Sequence, residues 1–415
     1  MPIWLYLVDT HPPFHKMPPK KRALINPPLL SWARTSVGLT LLEAAKRSRV
    51  QADQLEKWEQ GQDLPSISQL HRIAAVYARP FTLFYLPKPP QESQPVRDFR
   101  RLPPAQREKF GPRLLINFRK AQERRTAALS LMREIGTAPR QFLFQVNRHS
   151  KVVNVATSVR SALNVTLETQ FSWKSDSATL RGWISAVEAL DVLVFQVSRV
   201  PLNEMRAFCV SEPFLPVICL NGADQPYGRV FSLAHEFVHL MLNISAVTDL
   251  RSGGRGRTEV DDLERFCNAV AAEFLVPAES LRTEDLFISR NPQEAWDIED
   301  LRPLSTKYGV SREVLARRLL DLRMIDHRSF AHIQNQIETL YKRAQKTIST
   351  SEGGPSYYRV QARNLGRLFT TLVLGAYYQD AITLYEASNH LGVQADRIGK
   401  IEAEIIGKPT PRYSQ

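Results

Sequence analysis

Between residues 27 and 80, apolar positions recur at helical spacing in four short runs separated by turn residues. PPLLSWARTSVG opens on prolines, which suit a first helical turn, and closes at Gly38. TLLEAAKRS is capped by Thr40, and QADQLEKWEQG stops at Gly61. SISQLHRIAAVYA sets Ile67, Leu70, Ile73, Ala74 and Tyr77 on one stripe behind Ser66. Five prolines in RPFTLFYLPKPPQESQP then mark a boundary, followed by a long helical stretch from about Pro104 to Ile135. Further on, VVNVATSVRSALNV and ATLRGWISAVEAL read as helices, whereas DVLVFQVS, RAFCVS and LPVICLN are short β-rich runs bounded by turn residues. A helix beginning near Arg229 follows, and the strand just before it would offer its edge to an extended peptide. After a polar loop, DDLERFCNAVAAEFLVP predicts a helix with Leu263, Phe266, Cys267, Val270 and Phe274 on its apolar stripe, ended by Pro277. IEDLRPLSTKYGVSREVLARRLLDLRMI has the shape of a helix-turn-helix, ISTSEGGPS (348–356) is a linker by composition, and the last 60 residues read as three helices.

Length and composition bound these elements. At 415 residues with 43% hydrophobic content, the chain predicts two to four globular domains. No run approaches 18 apolar residues, and Leu368–Gln379 is too short to span a bilayer, which sets aside a membrane partner. The start MPIWLYLVDTHPPFHK lacks the basic lead and cleavage site of a signal peptide, so residues 1–22 are expected to be a flexible extension and the protein cytoplasmic. Cys209, Cys219 and Cys267 form no C-x-x-C pair, which argues against a disulfide framework and a thiolate zinc site. The net charge of +13 favours an acidic partner such as DNA. Ten Lys/Arg against three Asp/Glu over 97–125 fit either a nucleic-acid face or a solvated linker.

The chemistry concentrates in FSLAHEFVHLML, where His235, Glu236 and His239 interrupt an otherwise apolar helix. Residues i and i+4 lie about 5–6 Å apart on one face, so both imidazoles converge on one point. This H-E-x-x-H spacing predicts two zinc ligands, with Glu236 beside the attacking water. A catalytic site needs a third protein ligand and an open position. On the following helix Glu264 flanks the apolar stripe and shares a face with Asn268; Asp261 is its rival, while Glu259 and Asp262 suit the helix N-terminus.

PVICLN, RVFSLAHEFVHLML and ERFCNAVAAEFLVP, taken in order with VRSALNV and WISAVEALDVLVFQV upstream, resemble the ImmA/IrrE metallopeptidase family over about 130 residues. The resemblance implies that His235, His239 and Glu264 hold Zn2+ (Mn2+ in vitro) and that Glu236 is the catalytic general base. Glu273 matches a family position with a structural role. Cys267 stands where the family has Ala, and Val270 where it has Phe; both read as packing changes. Residues 27–80 resemble XRE-type helix-turn-helix domains over about 55 residues, with Gln51 and Gln54 as the base-edge readers and Lys57 as a further nucleic-acid contact. The same helix carries Asp53, Glu56 and Glu59, which repel phosphates, so protein docking competes with DNA binding there. Arg312, Arg317 and Arg318 are the other nucleic-acid candidates, although their segment could equally buttress the peptidase.

The expected fold is α+β and predominantly helical: an all-α helix-turn-helix domain, a central small-sheet zincin-like domain, and a helical C-terminal region. The expected segments are 1–22 extension, 23–95 helix-turn-helix domain, 96–149 basic linker, 150–285 peptidase, 286–347 helix-turn-helix-like segment and 348–415 C-terminal helices, the last suited to partner binding or a homodimer. By resemblance, such an enzyme cleaves a transcriptional repressor, often of XRE type, and switches on stress, mobile-element or defence genes. The alternative is a DNA-binding regulator, or an antitoxin with a cognate toxin, that acts by occupancy.

Overall fold

The computed structural model describes residues 22–90, 111–198, 200–244, 246–248, 259–288, 290, 296–348 and 356–405. The extension over 1–21, residues 97–110 of the basic stretch, and 349–355 of the linker lie outside the described residues. The chain divides into two units, Met1–Ser93 and Gln94–Gln415. It is mainly helical with one small sheet.

The first unit holds α1 (Pro28–Ser36), α2 (Leu41–Ser48), α3 (Ala52–Glu59) and α4 (Ile67–Tyr77), closed by a 3-10 turn at Phe81–Tyr85. Capping boxes at Thr40/Glu43 and Ser66/Gln69 start α2 and α4 by satisfying free N–H groups at each end of the pair. Leu29, Leu30, Leu55, Trp58, Leu70, Ile73, Tyr77 and Phe84 fill its core.

The second unit is a sheet covered on both faces. Its strands are β1 (Leu193–Val197), β2 (Ala207–Val210), β3 (Val217–Asn221) and β4 (Ala246–Thr248), in the order β1-β3-β2-β4. β1 and β3 run parallel; β2 is antiparallel to both β3 and β4. Two sequence expectations change here. β4 falls within the stretch read as a polar loop. β3, expected to offer a free edge, is central and paired on both sides, so among the described strands the edges belong to β1 and β4.

Side chains alternate across the sheet. Val194, Ala207, Cys209, Ile218 and Leu220 join one core with α6 (Val152–Leu163), α8 (Asp176–Glu188), α9 (Pro226–Met241) and α10 (Glu259–Leu275). Between α6 and α8 lies the short α7 (Leu167–Ser172). The same core continues through α11 (Ala278–Arg282), α12 (Asp285–Ile288), α13 (Arg302–Tyr308), α14 (Arg312–Asp321) and α15 (His327–Ile348). Leu193, Phe195, Val197, Phe208, Val210, Val217 and Cys219 face the other way. They pack with α5 (Pro112–Glu134), α16 (Tyr357–Leu365), α17 (Arg367–Tyr378), α18 (Leu384–Leu391) and α19 (Ile398–Ile405).

The stretch expected to be a basic linker is therefore, over α5, one layer of this unit: Leu114, Phe118, Ala128 and Leu131 are buried. Two of its arginines, Arg124 and Arg125, turn inward, while Arg113 and Arg133 are exposed. The Arg124 guanidinium lies over the Phe195 ring, 5.2 Å from its centroid, and Arg125 donates to the Phe214 and Leu215 carbonyls. Neither forms part of a nucleic-acid face. No helix among the described residues is long and apolar enough to cross a membrane.

Candidate metal centre

α9 starts at Pro226, whose missing N–H costs nothing in a first helical turn. From Arg229 to Met241 every residue is buried, as expected for a helix lying between the sheet and α8 and α10. His235, Glu236 and His239 are fully buried within it. The Nε2 atoms of His235 and His239 lie 3.0 Å apart. From α10, Glu264 brings one carboxylate oxygen to 3.2 Å from His235 Nε2 and the other to 3.4 Å from His239 Nε2. Among the described residues, His235, His239 and Glu264 are the group able to share an ion, with ligand atoms within 4.8 Å of one another. Asp261, the rival one turn earlier on α10, is not in that group.

Burial alone would raise the Glu264 carboxyl, but hydrogen bonds from His235 and His239 and their electrostatic pull outweigh it and hold it well below the usual carboxylate range. Glu264 therefore stays an anion at neutral pH. Two imidazole nitrogens and one carboxylate converging in an apolar pocket are the donor types that zinc accepts.

Neighbouring side chains hold this arrangement. Cys267 Sγ lies 3.8 Å from His239 Nδ1, whereas His235 Nδ1 has no hydrogen-bond partner among the described residues. Burial pushes the Cys267 thiol up, and Glu264 and Glu236 add to the effect. In the sequence Cys267 reads as packing alone; its place three residues after Glu264 puts it on nearly the same helical face but does not show which side chain of α9 it meets. Glu273 accepts from the Ala278 N–H and pairs with Arg318, both consistent with a structural post at the end of α10.

The nucleic-acid candidates divide. Gln51 and Lys57 are exposed on and beside α3, and Gln54 donates to Asp63 at 2.8 Å. Glu59 turns inward to a two-pronged pair with Arg34 at 2.8 and 2.9 Å, which leaves Asp53 and Glu56 as the exposed acids of that helix. Arg318 is corrected: it is 6% exposed, bound to Glu273 and to the Val276 carbonyl, and cannot reach a phosphate. Arg312 is engaged by Glu299, and Arg317 is exposed above the Phe330 ring. With Leu315, Ala316 and Leu319 in the same core as α9, α14 is a buttress.

Comparison with known families agrees with both units. Residues 187–320 match the peptidase M78 family, described as the IrrE N-terminal-like domain, and residues 30–84 match a helix-turn-helix family, in the order the sequence predicts. The first match reaches 320, so it takes in α13 and all but the last residue of α14. No curated protein matches the chain.

Proposed function

We propose that the protein is a zinc-dependent endopeptidase that cleaves a specific protein, a transcriptional repressor by the family resemblance, and so acts as a regulator. The observation that carries this reading is the convergence of His235, His239 and Glu264 next to a fully buried Glu236, inside a stretch matching a metallopeptidase family. His235 and His239 would hold the ion through Nε2, and Glu264 through its carboxylate. When bound, zinc polarises a carbonyl and brings the pKa of a water molecule towards 7. Glu236 accepts the proton of the attacking water and returns it to the amine that leaves. Among the described strands β4, which follows α9 in the chain, lies at an edge, and a peptide substrate would pair there.

Glu236→Gln tests the chemistry. The amide keeps shape and hydrogen bonding but cannot take a proton, so zinc content should hold while cleavage of the target falls ~10²–10⁴-fold. In cells, the variant should also fail to derepress its target genes. A variant that regulates as the parent does would favour occupancy of DNA or of a cognate toxin, and would end the peptidase reading.

A further inference from the structure

We infer that Cys267 is a positioning residue for the metal centre: its thiol holds the His239 ring through Nδ1 and thereby directs Nε2 to the ion. The inference rests on the zinc reading above. A ligating imidazole offers one nitrogen, and the hydrogen bond made by the other sets its tautomer and tilt. At His239 that other nitrogen faces Cys267 Sγ at 3.8 Å, its hydrogen-bond partner among the described residues, with both side chains fully buried. At His235 it faces none among the described residues, so the two ligands are held unequally. The rings of His235 and His239 stand edge to face, centroids 4.7 Å apart at 64°, so a turn of one ring would displace the other.

The helix supplies the logic. α10 carries Glu264 as a direct ligand and, three residues later, Cys267 as the holder of a second ligand on α9. One helix thus sets two of the three donors. With the proton on Nδ1 pointing at sulfur, the Nε2 lone pair is free for the metal. Sulfur is a weak acceptor, so the hold is gentler than the carboxylate or carbonyl that usually serves this role.

The rival account is packing, because Cys267 lies in the core beside Val270 and Ala271 and a buried cysteine behaves as a small hydrophobe. Two substitutions separate the accounts in the full chain. Cys267→Val keeps apolar bulk and removes the acceptor; Cys267→Ser keeps an acceptor and loses apolar character. The measurements are zinc affinity by chelator competition and the melting temperature of the chelator-stripped chain. Positioning predicts that Val weakens zinc binding ~10-fold, the lower end of the ~10–100-fold that losing a stronger partner costs, while Ser binds closer to the parent even where its melting temperature is lower. A Val variant that binds zinc like the parent, or a Ser variant weaker than Val, would overturn the inference and leave the zinc reading standing. A parent chain that takes up no zinc would overturn both.

Discussion

Glu264 and Asp261 sit one turn apart on α10, yet only the former joins the two histidines. Losing one of three ligands should weaken a binding energy on the order of 10 kcal/mol for structural zinc. Glu264→Ala is therefore expected to lower bound zinc well below one per chain by metal analysis, as His235→Ala and His239→Ala should, whereas Asp261→Ala keeps it. A fully loaded Glu264→Ala with an empty Asp261→Ala would reverse the assignment. The histidines were legible in the sequence because i,i+4 spacing on a helix is a local property. Glu264 was legible as one of two acids on a face. The Cys267 contact was not, because it depends on the register in which α9 and α10 cross, which tertiary packing decides.

At the scale of elements, α13 and α14 have the spacing of a helix-turn-helix, with Gly309 taking the left-handed conformation at φ 67° in the turn. Their direction is what sequence alone left open. Arg318 follows two residues behind the buried Ala316, and burial of Leu315 and Leu319 carries it inward to Glu273. Removing one partner of a buried pair leaves an uncompensated charge, at a cost of about 3–5 kcal/mol. Arg318→Ala should therefore lower unfolding stability by that amount, read in denaturant, while Arg318→Met combined with Glu273→Met recovers much of it. A negligible loss in the single variant would mean that the pair is not formed in solution. β4 went unseen for a different reason: a three-residue strand next to a Gly- and Arg-rich loop has no period to read, and it exists only because β2 offers its edge.

Over the whole molecule, the second unit is held together partly by a buried acid. Glu188, at the end of α8, accepts from the Leu368 N–H at 3.1 Å and so ties the core around α9 to α17. Next to it Gly366 turns at φ 74°, where an added Cβ would meet the Val194 carbonyl at 2.3 Å, so the corner between α16 and α17 admits no larger residue. Burial pushes the Glu188 carboxyl up to about 7 against the opposing pull of the Leu368 and Arg367 N–H groups and the Arg367 charge. Its value when unfolded is near 4.5, so the folded state binds the proton more tightly. The stability it contributes is complete below about pH 4.5 and is lost as pH rises through about 7. Glu188→Gln fixes the neutral form, so relative to the parent it should gain stability between pH 5 and pH 8, by up to about 3 kcal/mol. Parallel pH profiles for the two proteins in denaturant unfolding would refute this. The layer that Glu188 anchors has a consequence for how the chain is made. β1 ends at Val197 and α16 begins at Tyr357, about 160 residues later. At ~5–20 residues per second, one face of the sheet waits roughly 8–30 s on the ribosome for the helices that cover it. During that interval Phe195, Phe208 and Val217 have only α5 to shelter them. α9, with its two histidines, lies on the opposite face of the same sheet, so a nascent chain can carry the whole H-E-x-x-H motif and still lack a finished platform beneath it.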